Sequence, residues 1–149
     1  MVKKDKILKN LFYAKFLGVL MKKGKKTSAK KILDNVLVKV SRKTGLSVNL
    51  ILYKVFFKLN TFVEIRRIRF RRSSYIVPFS IPFSRRIFLV LKWIFLSIKF
   101  DKRKIGSVNK LSVEIFKILK NLPSSQSLKL KALNNSQAFA NKANIHFRW

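Results

Sequence analysis

Residues 64–78 read EIRRIRFRRSSYIVP, and no other stretch narrows the choice of fold as much. Five arginines fall within positions 66–72, interleaved with Ile68 and Phe70. Side chains of an extended chain alternate between faces, which puts Ile68 and Phe70 on one face and Arg67, Arg69 and Arg71 on the other. Pro78 and Pro82 forbid a helix interior. Arg71–Ser74 sits where the chain reverses, and Tyr75, Ile76 and Val77 resume β-prone residues. The spacing predicts a two-stranded β-hairpin over about 62–82.

The flanking segments read as helices. Ile7, Leu8, Leu11, Phe12, Phe16 and Leu20 recur near helical spacing over 7–21, with lysines opposite. Gly24, within KKGKK, can close that helix in a left-handed cap. Thr27 or Ser28 then caps a second helix with Ile32, Leu33, Val36, Leu37 and Val40 on one face, ending near Gly45. Ser47 opens a third, rich in Leu50, Ile51, Val55 and Phe56, through about Lys58. After the hairpin, Ser84 and the pair Arg85–Arg86 begin an apolar helix to about Phe100. Ser107 caps a fifth carrying Leu111, Ile115, Ile118 and Leu119, stopped by Leu122–Pro123. A last helical stretch runs from about Ser125 to HFRW. The fold class is mainly α: about six helices in one domain spanning 1–149, with the hairpin between the third and fourth.

Charge decides the class of partner. The chain has 149 residues, with 35 Lys plus Arg against 5 Asp plus Glu, a formal net charge of +30. Such a chain repels itself until a polyanion neutralises it. Nucleic acid is the first candidate and an anionic membrane surface the second. Hydrophobic residues make up 48% of the chain, enough for a packed core rather than a disordered basic tail. The run Ile87–Ile98, IFLVLKWIFLSI, falls short of the roughly 20 residues that cross a bilayer and reads as a buried helix.

Enzymatic material is sparse. The acids Asp5, Asp34, Glu64, Asp101 and Glu114 stand singly, His146 is the one histidine, and there is no cysteine. Thiolate chemistry is excluded, and neither a metal site nor a cofactor is expected. The acids read as helix-end charges or partners for surplus lysine.

Two motifs fit phosphate. In KKGKK, Gly24 lets backbone approach an anion while Lys22, Lys23, Lys25 and Lys26 flank it; a solvated loop is the plain alternative. In the ribbon, Arg66, Arg67, Arg69, Arg71 and Arg72 supply guanidinium forks that bind phosphates bidentately and stack on bases. Blocking aggregation at a sheet edge needs one or two charges, so five point to nucleic acid. Trp93 and most phenylalanines lie on helix faces with Leu and Ile and read as core. His146, beside Phe147, Arg148 and Trp149, suits an RNA contact or an ordinary surface position equally.

Three segments in order carry a resemblance. AKFLGVLMKKGKKTSAKK (14–31) is similar to a helix, Met-x-x-Gly-Lys-Lys turn and small-residue helix start; VEIRRIRFRRSSYIVP with SRRIFLVLKWI (63–94) to a Glu-led hairpin, Tyr-x-x-Pro return strand, Arg-Arg pair and Trp-bearing helix; ANKANIHFRW to an Ala-Asn-Lys-Ala…His-aromatic-Arg-Trp ending. Together they resemble the universal ribosomal protein number seven of the small subunit, in a divergent organellar form.

That resemblance implies a structural, non-enzymatic constituent that binds the 3′ domain of small-subunit rRNA, organises the subunit head and lies near the tRNA exit site. It implies rRNA contacts at Lys25, Lys26, Arg66, Arg69, Arg85, Arg86 and Lys92. It also implies that the hairpin tip and the final helix, with Arg71, Arg72, Tyr75, His146, Arg148 and Trp149, face exit tRNA and the platform protein number eleven, with number nine a further neighbour. Where the family has Gly-Gly at the tip this chain has Arg71–Arg72, so the tip is expected to be longer, differently bent or held by RNA. Thr61 replaces a family proline. A general basic nucleic-acid binder is the alternative that charge alone would allow. A family domain starting about ten residues from Met1, with the Lys-, Asn-, Ile- and Phe-rich bias of an A+T-rich gene, points to a mitochondrially encoded protein, ahead of a plastid or bacterial one.

Overall fold

The computed structural model describes residues 2–147, with side chains from Leu11 onward. In order they form α1 (Val2–Leu20), α2 (Lys26–Thr44), α3 (Val48–Leu59), β1 (Val63–Phe70), β2 (Ser73–Ser80), α4 (Phe83–Phe100), α5 (Ser107–Leu119), α6 (Gln126–Ala140) and a 3₁₀ helix (Lys142–Phe147). The mainly helical architecture, with its hairpin between the third and fourth helices, matches the reading of the sequence.

The core grows out of the apolar stripes. Leu33, Val36, Leu37 and Val40 of α2 meet Leu111, Ile115 and Ile118 of α5, all buried. Ile87, Val90, Leu91 and Ile94 bring α4 into the same core, where it touches α1, α3, α5 and α6. Burying one such side chain contributes about 1.5–3 kcal/mol. Phe12 lies edge-on to Phe16 at 6.0 Å and to Phe56 at 5.8 Å, locking α1 onto α3. Among the described residues no helix is long and apolar enough to cross a membrane.

Several helix ends differ from expectation. α1 stops at Leu20, before the glycine, and the reversal is made by Lys23 (φ 50°) and Gly24 (φ 72°) together. Thr27 and Ser28 lie inside the first turn of α2; Lys25 holds the cap position without a side-chain bond. Ser47 does precede α3 but caps nothing with its hydroxyl, and Ser107 is the first residue of α5 rather than its cap. α5 ends at Leu119 and is closed by Asn121, at φ 53°, whose amide donates to the Ile118 carbonyl while that of Leu122 donates to the Lys117 carbonyl. That is a Schellman closure, completed before Pro123 is reached. Gly45 closes α2 as expected, at φ 68°.

Polar groups inside the fold tie elements together. The buried Glu114 carboxylate of α5 accepts from the Ser125 hydroxyl (2.8 Å), the Ser127 amide (3.0 Å) and the Ser127 hydroxyl (2.8 Å), which fixes the start of α6. Two lysines serve helix C-termini: Lys58 Nζ donates to the Leu119 carbonyl at 2.6 Å, and Lys131 Nζ to the Lys58 carbonyl at 2.7 Å. Each places a cation at the negative end of a helix. Burial pushes the Lys131 ammonium below its ordinary pKa.

The hairpin pairs Val63 with Ser80 through to Phe70 with Ser73, leaving Arg71–Arg72 as a two-residue turn. The tip is therefore no longer than a glycine turn. Arg71 takes the positive φ, 53°, that such a turn normally assigns to glycine. A left-handed non-glycine residue costs roughly 1–2 kcal/mol.

Candidate nucleic-acid interface

Strand parity distributes the arginines over the whole ribbon. Ile68, Phe70 and Arg66 share one face with Tyr75, Val77 and Phe79; Arg67 and Arg69 share the other with Ile76 and Pro78. Arg71 and Arg72 occupy the turn. The expected split of apolar against basic face thus holds for Arg67 and Arg69 and fails for Arg71, which lies in the turn; Arg66 falls on the face of Ile68 and Phe70. Arg66, Arg67, Arg69, Arg71 and Arg72 are all exposed, and Ile68 is half-buried opposite Tyr75.

At the base of the hairpin three of the proposed RNA-facing arginines come together. Arg85 lays Nη2 on Glu64 Oε1 at 2.6 Å and Nε on Oε2 at 3.1 Å, while Arg66 Nη2 reaches the same carboxylate at 3.4 Å. The Arg85 bonds hold the Glu64 carboxyl below its ordinary pKa, outweighing the opposing effect of burial; the same bonds raise the Arg85 guanidinium. Arg86 donates Nε to the Ile81 carbonyl at 3.1 Å and lies over the Phe62 ring at 4.2 Å. Arg66 lies over Phe79 at 5.2 Å and Arg85 over Phe88 at 5.1 Å. Each guanidinium is held over a ring, with hydrogen-bonding capacity left over for a phosphate.

The lysine turn lies toward the other end of α4. Lys22, Lys23, Lys25 and Lys26 are all exposed, and Lys22 and Lys25 border a cavity of about 250 Å³ that Ile98 of α4 also lines. No acid occupies the first turn of α2, so the positive end of that helix dipole adds to the lysines. Gly24 has open space where a Cβ would stand, so its φ, not crowding, is what calls for glycine. Lys92 is exposed on α4 between these two basic regions.

At the tip, Arg71 lies over Phe70 at 5.4 Å, and Phe147 of the 3₁₀ helix stacks on Tyr75 at 4.5 Å between centroids. Asn144 Nδ2 donates to the Ile76 carbonyl at 3.1 Å, fastening the same segment to β2. His146 is exposed. Arg148 and Trp149 fall outside the described residues. Among the described residues no three His, Cys, Asp or Glu gather as a metal site would require.

One reading of the aromatic residues is corrected. Trp93 is buried, as are Phe12, Phe16 and Phe56, but Phe57, Phe62, Phe70, Phe83, Phe88, Phe100 and Phe139 are exposed. Helical spacing with Leu and Ile marks an apolar sector without fixing its width, so rings at the sector's edge were taken for core. Phe88 and Phe95 of α4 are rings of that kind, each beneath a cation; Phe62 before β1 and Phe79 in β2 also lie beneath cations, outside any helix. On α4 the sequence carries a signal, a Phe three or four residues from its cation, for Phe88 with Arg85 and Phe95 with Lys99; Phe62 and Phe79 meet Arg86 and Arg66 from distant parts of the chain, and no local spacing marks them.

The family model described as ribosomal protein S7p/S5e matches residues 1–142. The chain belongs to that family. The small ribosomal subunit protein uS7 of Petrotoga mobilis is 32% identical over 145 residues, covering 97% of this chain and 92% of the relative. The small ribosomal subunit protein uS7m of Reclinomonas americana is 31% identical over 135 residues, covering 91% and 83%. The uS7 protein of Geobacter metallireducens is 30% identical over 138 residues, covering 91% and 85%. The matched residues take in the lysine turn, the hairpin and α4 alike, and with them the first two of the three resembling segments; the third, ANKANIHFRW, lies mostly beyond residue 142.

Proposed function

We propose that this chain is a structural constituent of the small ribosomal subunit that binds the 3′ domain of its rRNA and organises the subunit head. The observation that carries the reading is the arginine cluster at the hairpin base, Arg66, Arg85 and Arg86, pre-ordered on a surface with a second basic region, the lysine turn, toward the other end of α4. Two basic regions, one at each end of α4, suit a folded RNA junction better than a uniform rod. The separation along α4 from Arg85 to Ile98 is about 20 Å at 1.5 Å per residue. Counterion release from neutralised phosphates supplies most of the affinity, and the fixed geometry supplies the preference for one RNA shape.

Within that reading, Lys22, Lys23, Lys25, Lys26, Arg66, Arg67, Arg69, Arg71, Arg72, Arg85, Arg86 and Lys92 contact rRNA. Arg71, Arg72, Tyr75 and His146 face tRNA in the exit site or a neighbouring subunit protein. The described acids are occupied within the chain, and the role is assembly and scaffolding, with no chemistry performed. A general basic nucleic-acid binder would share the charge but not the family match. The residue bias of an A+T-rich gene favours a mitochondrial ribosome; a mitochondrial and several bacterial relatives are similar to about the same degree.

Hydroxyl-radical footprinting on the intact small-subunit rRNA tests this directly. Protection concentrated in the 3′ domain is the expected result. Protection spread evenly over all domains at moderate salt would leave charge as the whole explanation.

A further inference from the structure

On α4, Arg85, Phe88, Lys92, Phe95 and Lys99 follow one another at intervals of three and four residues, which places them on one side of the helix. None of the five is buried, and Phe88 is 40% exposed. The buried set Ile87, Val90, Leu91, Trp93 and Ile94 faces the opposite way, so the row looks outward along its whole length. Cations and rings alternate, and two of the pairs touch: Arg85 lies over Phe88 at 5.1 Å and Lys99 over Phe95 at 4.9 Å. A solvated helix face has no reason to carry phenylalanine at every other place in a row. A protein-docking face would not carry a cation at every remaining one.

We infer that this row is a track for unpaired ribonucleotides, which refines the proposed rRNA-binding role and rests on it. Single-stranded RNA is held by rings and guanidinium planes that accept stacked bases, and by cations that follow the backbone. Arg85, held over Phe88 and anchored by Glu64, offers its guanidinium to a base beside the Phe88 ring. Lys92 and Lys99, about 10 Å apart at one helical rise per residue, meet phosphates of the same strand. A duplex cannot use the rings, because its bases are already stacked.

The test uses the intact chain with a single-stranded ribo-oligonucleotide of mixed sequence and with the same strand annealed to its complement, each titrated over a salt series. The substitutions F88L and F95L together keep apolar bulk while removing the rings; K92Q and K99Q together remove charge only. The ring variant is expected to bind the single strand about tenfold more weakly, with an unchanged salt slope and unchanged duplex affinity. The lysine variant is expected to lower the salt slope on the single strand by about 1.4, at about 0.7 per phosphate contact. Equal losses on both RNAs, or no loss on either, from the ring variant would overturn the track. If the wild-type chain still protects the 3′ domain in that case, the track alone has failed; if that protection is missing too, the ribosomal reading has failed with it.

Discussion

Arg85 and Glu64, 21 residues apart in the chain, are joined by two hydrogen bonds that fasten the first turn of α4 to the base of β1. The pairing fixes how the hairpin leaves the helical bundle, and so where the ribbon's arginines stand relative to the lysine turn. It also illustrates how the chain uses its few acids. Asp34 accepts from Tyr13, Asp101 from Arg103, and Glu114 from Ser125 and Ser127. Four carboxylates are committed inside the chain, and the outward surface is left to cations.

Substituting Glu64→Gln removes the charge that holds Arg85 and Arg66. A partly exposed, bidentate pair of this kind is worth about 1 kcal/mol. The Glu64 pKa is lowered on folding, so its contribution is present above the ordinary carboxylate pKa of 4.5 and is lost as pH falls through the lowered value. Urea unfolding should show the E64Q deficit near neutral pH and should show it vanish in acid. A deficit that stays constant with pH would mean the pair is not its source.

Tyr13 donates to Asp34 Oδ1 at 2.6 Å. Burial, the hydrogen bond and the carboxylate charge together push its phenol up to about 12 from 10.0. Because the folded pKa is raised, the contact stabilises the fold below pH 10.0 and loses its effect as pH rises through about 12. Tyrosinate absorbance should reveal Tyr13 as a late-titrating phenol. In D34N that residue should titrate earlier, while burial keeps it from returning all the way.

Glu114→Ala strips three acceptor contacts from the start of α6 and leaves Ser127, fully buried, without its partner. A loss of about 2–4 kcal/mol is expected. Hydrogen exchange should quicken first in the opening turn of α6, ahead of α2 and α5. Uniform quickening across all helices would argue against a local role.

Arg71→Gly relieves the left-handed turn residue and should raise stability by up to about 1 kcal/mol, the strain relieved being partly offset by glycine's entropy in the unfolded chain. The same change removes a cation from the tip, so the salt dependence of RNA binding should flatten by close to one phosphate contact. A stabilised variant with an unchanged salt slope would place Arg71 away from RNA.

Much of this was legible because it depends on periodicity. The stripe of α2, the alternation of β1 and the two flanking prolines are written in the order of residue types, and each produced the element it implied. Helix ends were less legible, since Thr27, Ser28 and Ser107 have capping side chains but lie one to three residues inside their helices. The choice there is made by tertiary packing of the whole helix, which outweighs a cap worth about 1 kcal/mol. The tip is not longer than a glycine turn, because a turn of two arginines carries a cost that the paired strands on either side absorb. The charge total pointed to an anionic partner, but not to which cations also work inside the fold: Lys58 and Lys131 serve helix carbonyls, and Arg85 uses Nε and Nη2 on Glu64 while its remaining nitrogen stays available. The outward row on α4 escaped notice because its phenylalanines sit in the most apolar run of the chain, where burial is the natural first reading.

The central claim is that a folded surface, rather than net charge, selects the RNA. The most direct measurement is affinity for the 3′-domain junction of small-subunit rRNA against a length-matched, unrelated structured RNA, across one salt series. The account predicts that the junction stays at least about 100-fold tighter as salt rises, because shape and stacking survive screening. Coincident curves at every salt would contradict it.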